Sequence, residues 1–338
     1  LEGGVLRRSL QSIGTSPSVA LALGGGGARG LAHIPVLEVL DEMGIRPSVI
    51  AGTSIGALMG AIYALGMPGY RIRALTEETL GRRFDLARQL FAARSDPVQK
   101  LLKLLPIRSS LLSPVSLLDL LVPEIGERTF ADLAIPLKVV ATDLGARDAV
   151  VISEGSLKTA VAASIAIPLI FSPVDEGGRL LVDGGLVNPL PFELVTGEAD
   201  VTIAIDVSGG SKESVLGKRP TAVEVLMQSV QILEKSITRQ KLNSLQPDIY
   251  IDVDLDQFGA LEFWRAKEIL DAADPVKEKL RRQLGRVLTA STLAPLEPSA
   301  GRAADRKIDG LPEAGDAPVR RLARFKRGLA KRLPGKKR

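Results

Sequence analysis

The chain has no cysteine and a single histidine, His33, in 338 residues. The first absence excludes disulfides, thiolate nucleophiles and cysteine metal sites, and leaves the redox compartment open. The scarcity of histidine excludes multi-histidine metal centres and means that any Ser-His-Asp triad must use His33. No uninterrupted apolar run reaches the roughly 18 to 20 residues of a membrane span. The chain opens on Leu1 rather than methionine, so a removed targeting segment is left open. Acidic residues are missing from Val319 to Arg338, which holds ten Lys or Arg, so the net charge of +5 belongs to the tail and the remainder carries a net −5.

What is present is a 45% hydrophobic composition, enough for a sizeable core. Apolar runs alternate with helical stretches from the start: a strand at Val19–Leu23, a helix over Leu31–Met43, a strand at Val49–Ala51, then an apolar helix through Ala57–Leu65. Further strands are expected at Leu137–Ala141, Ala149–Ile152, Arg179–Val182, Val201–Val207 and Ile249–Val253, and long helices at Thr221–Leu242 and Glu262–Leu288. This order predicts an α/β fold, a three-layer α/β/α sandwich around a mostly parallel central sheet. The expected domain spans 19–293, after an extension over 1–18. Its helical insertion at about 82–121 pairs the leucine clusters Leu101-Leu102, Leu104-Leu105 and Leu117-Leu118 with basic residues from Arg82 to Arg108. A Pro- and Gly-rich linker is expected over 294–318. The tail, 319–338, reads as a solvated extension or as a short basic amphipathic helix suited to anionic lipid headgroups; no nucleic-acid module supports a nucleic-acid partner.

Gly52-Thr53-Ser54-Ile55-Gly56 follows a short apolar strand and precedes an apolar helix, the pattern of a nucleophile elbow. Glycines at 52 and 56 give a sharp strand-to-helix turn the room it needs, and the helix N-terminus faces the hydroxyl. Taken alone, the pentapeptide also fits a tight packing turn. After the first strand comes Gly24-Gly25-Gly26-Gly27-Ala28-Arg29-Gly30, whose amides suit either a phosphate cradle or an oxyanion hole. A dinucleotide fingerprint is undercut because Val49-Ile50, about 20 residues on, offers no acid to hold a ribose. The Gly-Lys-Ser/Thr ending of a P-loop is also missing. Arg29, the cation of the loop, either holds it or attracts a lipid phosphate. Two bases are open to Ser54. His33, on a helix between apolar neighbours, reads as a packed structural residue. Asp183 leaves the apolar strand Leu180-Leu181-Val182 into Gly184-Gly185, and parallel strands would bring its C-terminal end to the same sheet edge as Ser54.

The glycine loop with Gly30, then Gly52–Gly56, then Asp183-Gly184-Gly185, resembles the patatin-like phospholipases, particularly bacterial members similar to neuropathy target esterase. Supporting stretches are Ala28–His33, Ala141–Leu144, Ala163–Pro168 and Asn188-Pro189. The resemblance covers roughly 19–253. It implies an acyl hydrolase of phospholipid, lysophospholipid or other lipid esters, acting without metal or cofactor. Ser54 would be the nucleophile, Asp183 the general base, and the amides of Gly25, Gly26, Gly27 and Arg29 the oxyanion hole. Pro35 departs from the family's usual glycine but falls early enough in the helix to be accommodated, and Gly185 stands where alanine is common. The expected setting is cytoplasmic, or peripheral at a membrane. The alternative is a phosphate- or nucleotide-binding regulatory protein without hydrolase activity.

Overall fold

The structure, a computed structural model, describes residues 17–92, 112–209 and 222–293. Eight strands form one sheet: β1 (Val19–Leu23), β2 (Val49–Thr53), β3 (Leu137–Asp143), β4 (Asp148–Ile152), β5 (Val174–Glu176), β6 (Arg179–Asp183), β7 (Val201–Asp206) and β8 (Ile249–Asp252). The helices are α1 (His33–Glu42), α2 (Ile55–Ala64), α3 (Gly69–Ala92), α4 (Pro114–Leu121), α5 (Leu157–Ser164), α6 (Ala222–Ser244), α7 (Ala266–Ala273) and α8 (Val276–Leu293). Strand order is β5-β6-β3-β2-β1-β7-β8, with β4 also paired to β3.

The strands β1, β2 and β7 are buried along their whole length, as expected of parallel strands covered on both faces. On one face Leu21, Leu23, Ile50, Val139, Ile203 and Ile251 pack with Leu37 of α1, Ile62 of α2, Val161 of α5, Leu270 of α7 and Leu280 of α8. The other face is built of small residues, Ala20, Ala22, Ala51 and Ala204, and is covered by Leu190, Phe192, Val195 and Leu242 of α6. Phe192 is fully buried there, a burial that contributes on the order of 1.5–3 kcal/mol.

The sheet is mixed. Strands β3-β2-β1-β7-β8 are joined by parallel pairings, whereas β4, β6 and β5 are antiparallel to their neighbours. The expected common edge of parallel C-terminal ends therefore does not explain how Asp183 reaches Ser54. Register on β3 does. Strand β4 pairs with residues 139–143 of β3 along one edge, β2 pairs with 137–140, and β6 pairs with 141–143. Both β2 and β6 share positions with β4, so both occupy the opposite edge of β3, end to end. Because β6 runs against β3 and β2 runs with it, their C-terminal ends meet head-on, Thr53 beside Val140 and Asp183 beside Ala141.

Two other expectations are corrected, and one strand was not expected. The helix expected over Glu262–Leu288 is a short 3-10 turn at Phe263–Arg265 followed by α7 and α8, broken at Pro275, which supplies no N–H to continue α7 and stands directly before the first residue of α8. The helix expected from Leu31 begins as a 3-10 turn, Gly27–Ala32, and becomes α-helical at His33. The strand β5 was missed, although Gly177-Gly178, both at positive φ, marks the two-residue hairpin that joins it to β6. Of the 82–121 insertion, the ends lie on α3 and α4; Ser113 caps α4 through the Ser116 N–H (3.2 Å) and Leu118 is buried. Leu101-Leu102, Leu104-Leu105, the linker and the basic tail lie outside the described residues. Among the described residues no helix is long and apolar enough to cross a membrane.

Candidate active site

Ser54 stands at the junction of β2 and α2 with φ 55° and ψ −125°, a left-handed conformation that serine adopts only under constraint. The constraint is local packing. A β-carbon on Gly52 would lie 2.6 Å from the Ala57 Cα, and one on Gly56 would collide with the Leu23 carbonyl, so α2 can fold back onto β2 and β1 only if both positions are bare. The backbone of the turn is held from across the sheet. The Ser54 N–H donates to Ser164 Oγ at the end of α5 (2.8 Å), and Ser164 Oγ donates in turn to the Val140 carbonyl (2.6 Å). Thr53 Oγ1 donates to the Asn188 carbonyl (2.8 Å).

Ser54 Oγ donates to Asp183 Oδ2 at 2.6 Å, a short charge-assisted bond between two buried groups. The other carboxylate oxygen, Oδ1, accepts from the Gly185 N–H (2.8 Å) within the 3-10 turn Gly184–Leu186. The Asp183 backbone is fixed as well: its N–H donates to the Ala166 carbonyl (3.0 Å) and its carbonyl accepts from Thr142 Oγ1 (2.8 Å). Burial pushes the Asp183 carboxyl up to about 6, against the hydrogen bonds from Ser54 and Gly185 that pull it down.

Of the glycine loop, Gly24 donates to the Ile205 carbonyl (3.0 Å), Gly25 to the Pro189 carbonyl (2.9 Å) and Ala28 to the Ala260 carbonyl (2.7 Å). The Gly25 amide is therefore engaged, which removes it from the expected oxyanion donors. Its place is steric: a β-carbon there would stand 3.4 Å from the Ser54 Cβ. The Gly26 and Gly27 amides have no backbone acceptor among the described residues. Gly30 packs against the Ile55 side chain. Arg29 is buried, its Nε donating to the Gly26 carbonyl (3.4 Å). Burial lowers its proton affinity while Glu234, Asp256 and Asp206 raise it, so the guanidinium holds the loop from within.

His33 is fully buried and donates from Nε2 to the Gly24 carbonyl (2.8 Å), and no hydrogen bond links it to Ser54 among the described residues. Burial drives its pKa down to about 4, so it is neutral at physiological pH. It braces the start of the glycine loop. Two further contributors had no role assigned from the sequence: Ser164, which lies in the supporting stretch Ala163–Pro168, and Glu234 on α6, which carries no motif.

Ser54 and Asp183 line a pocket, open to solvent, with Gly25, Gly26, Gly27, Arg29, Ile167, Pro168, Leu186, Leu261 and the α6 residues Met227, Val230, Gln231 and Glu234. A larger, open cleft lined by Asp41, Arg46, Tyr63 and Ile135 lies beside the N-terminal ends of β2 and β3; there the Tyr63 hydroxyl donates to Asp41 Oδ1 (2.7 Å), but burial and that carboxylate raise the pKa of the phenol, which makes it a poor nucleophile. The smaller pocket brings together a hydroxyl hydrogen-bonded to a carboxylate of raised pKa, two amides without a backbone acceptor among the described residues, and an apolar wall.

The sequence profile described as patatin-like phospholipase matches residues 21–196, more than half of the chain and the stretch that carries both Ser54 and Asp183. An uncharacterized NTE family protein of Mycobacterium bovis is 39% identical over 199 residues, 58% of this chain and 50% of that protein. Patatin-like phospholipase domain-containing protein 7 of Mus musculus is 34% identical over 202 residues, 59% of this chain and 14% of that protein. The match thus spans about half the length of the mycobacterial relative and a small part of the murine one. The crystal structure of VipD from Legionella pneumophila superposes with a TM-score of 0.40 and 17% identity over 78% of this chain and 67% of that one, a likeness too loose to carry an argument. On the extent of the profile match, which runs from the first strand through the nucleophile elbow to the Asp-Gly-Gly turn, this chain belongs to the patatin-like phospholipase family.

Proposed function

We propose that the chain is a serine acyl hydrolase of lipid esters, with Ser54 as nucleophile and Asp183 as its base. The observation that carries this reading is the 2.6 Å bond from Ser54 Oγ to Asp183 Oδ2 at a strained elbow. Asp183 takes the hydroxyl proton as Ser54 Oγ bonds to the acyl carbon, and the carbonyl electron pair moves onto oxygen. The Gly26 and Gly27 amides, with Arg29 bracing the loop, are the proposed donors to that oxyanion, and the N-terminus of α2 adds its dipole. Collapse breaks the bond to the leaving alcohol, which receives the proton from Asp183. Water then gives a proton to Asp183 and adds to the acyl-serine, and the free acid departs as Ser54 regains its proton. The apolar wall of Ile167, Leu186, Met227 and Val230 suits an acyl chain.

Ser54→Ala and Asp183→Asn should each lower hydrolysis of a short-chain nitrophenyl ester by at least on the order of 10³-fold while circular dichroism stays native. Full activity in Ser54→Ala ends the proposal. His33→Ala tests the division of labour: a folded His33→Ala protein as inactive as Ser54→Ala rules out the dyad. A phosphate- or nucleotide-binding role is less well supported, because the Gly24, Gly25 and Ala28 amides already have backbone acceptors; thermal stabilisation by a nucleotide would revive it. The choice of phospholipid, lysophospholipid or neutral ester, and peripheral contact of the 319–338 tail with anionic membrane, are tested by comparing the full chain with a truncation after Leu293 on anionic and neutral vesicles.

A further inference from the structure

The helix α6 brings a second carboxyl into the pocket of the dyad. Glu234 is half-buried and lines the same space as Ser54 and Asp183. A β-carbon on Gly185 would stand 2.5 Å from Glu234 Oε1 and 3.1 Å from Asp183 Oδ1, so the two carboxyls converge on the one bare backbone position whose N–H already serves Asp183. An alanine methyl at 185 would occupy the slot that the Glu234 carboxyl fills. The helix cannot easily retreat. Lys235 donates to Asp206 (3.0 Å) and Asp252 (3.1 Å), and Lys241 to the Leu190 carbonyl (2.7 Å), pinning α6 beside and about two turns beyond Glu234. Around this carboxyl stand Asp183 from the end of β6, Arg29 from the turn after β1 and Asp206 from the end of β7, with Asp256 close to Arg29.

We propose that Glu234 is a positioning residue that sets the alkaline limit of the Ser54–Asp183 reaction: seated in the slot that Gly185 leaves open, it stands beside Asp183 as a neutral acid, and its ionisation halts turnover. The inference rests on the acyl-transfer reading above. Burial and the neighbouring Asp183 push the Glu234 carboxyl up to about 8, Arg29 opposing and Asp206 adding to the rise. While Glu234 keeps its proton, Asp183 is the lone anion facing Ser54. Once it ionises, a second negative charge lies beside Asp183 and near the carbonyl oxygen that must itself become negative, so the anionic tetrahedral state is opposed. The two carboxyls then titrate as a pair and give a bell-shaped profile, rising near 6 as Asp183 ionises and falling near 8 as Glu234 does.

The experiment is a kcat/KM profile on a nitrophenyl ester from about pH 5 to 10, with the full chain and its Glu234→Gln, Gly185→Ala and Gly185→Ala/Glu234→Ala variants. Wild type should fall roughly tenfold or more between pH 7 and about 9.5, and Glu234→Gln, relative to its own rate at pH 7, should not. Gly185→Ala should displace the Glu234 carboxyl from the slot and move the alkaline limb, and Glu234→Ala in the same chain should abolish that limb. An alkaline fall in Glu234→Gln equal to that of wild type overturns the proposal, as does a Gly185→Ala protein indistinguishable from wild type. Melting temperature against pH separates this failure from that of the hydrolase reading. A carboxyl whose folded pKa is raised lends stability that is complete below its unfolded value of 4.5 and lost as pH climbs to about 8. The wild-type melting temperature minus that of Glu234→Gln should therefore decline across that window and level off above it, whether or not the protein hydrolyses esters; a constant difference shows that Glu234 is no neutral acid.

Discussion

The two halves of the candidate dyad come from opposite kinds of sheet. Ser54 leaves the parallel block, where β2 is buried between β1 and β3 and the turn into α2 is forced into positive φ by packing. Asp183 leaves the antiparallel end, where β6 pairs with three residues of β3 and its turn carries no positive-φ side chain. The residues that mark the elbow all lie within Gly52–Gly56, although Ser164 and Asn188 hold its backbone from across the sheet. The aspartate is placed by long-range register, and its carboxylate reaches the hydroxyl because β2 and β6 abut on one edge of β3.

The two sides should therefore break differently. The largest effect in this comparison is expected from Gly52→Ala, whose methyl meets the Ala57 Cα at 2.6 Å. Overpacking of backbone against backbone should destabilise by about 1–3 kcal/mol and lower activity further by tilting α2, measured as the urea midpoint and kcat. Ser164→Ala comes next. It removes both the acceptor for the Ser54 N–H and the donor to the Val140 carbonyl, linking elbow to β3, so a loss of about 1–3 kcal/mol is expected, with kcat falling more than KM rises. On the Asp183 side, Thr142→Val removes one donor to the Asp183 carbonyl and should cost less, about 1 kcal/mol, because the Ala166 carbonyl still holds the Asp183 N–H. If Thr142→Val proves as damaging as Ser164→Ala, the antiparallel end is as finely set as the elbow. The smallest effect is one of pH. Activity should fall as pH drops through about 6, since a protonated Asp183 cannot take the Ser54 proton, and stability should not collapse there, since the neutral form is the one that burial favours. An acid limb near 4 would point instead to a solvated Asp183 or to His33.

Much of this site was legible beforehand, and for a physical reason. Tight turns demand particular residues within a few positions of one another, so the glycines at 52 and 56, the loop from Gly24 to Gly30 and the Asp183-Gly184-Gly185 turn mark themselves. His33, alone of its kind and opening a helix beside the glycine loop, was read as a packed structural residue, and the structure buries it against the Gly24 carbonyl. Less was visible where the determinant is a partner distant in the chain. Nothing near Gly25 states that its amide will meet Pro189, and nothing near Glu234 states that α6 will lay it against Gly185. The break of the expected helix at Pro275 and the hairpin at Gly177-Gly178 belong to the first class and were available from local chemistry alone.

The sequence by itself determined the alternation of strands and helices, the strained serine and the glycine-flanked aspartate, because backbone sterics and hydrophobic period act within a few residues. Only the tertiary structure decided that β6 runs antiparallel, that its end meets β2 head-on over β3, and that α6 returns a second carboxyl, 51 residues beyond Asp183, to the pocket. Those outcomes depend on which strands pair and in what register, a choice made by the packing of the whole core rather than by any segment of it.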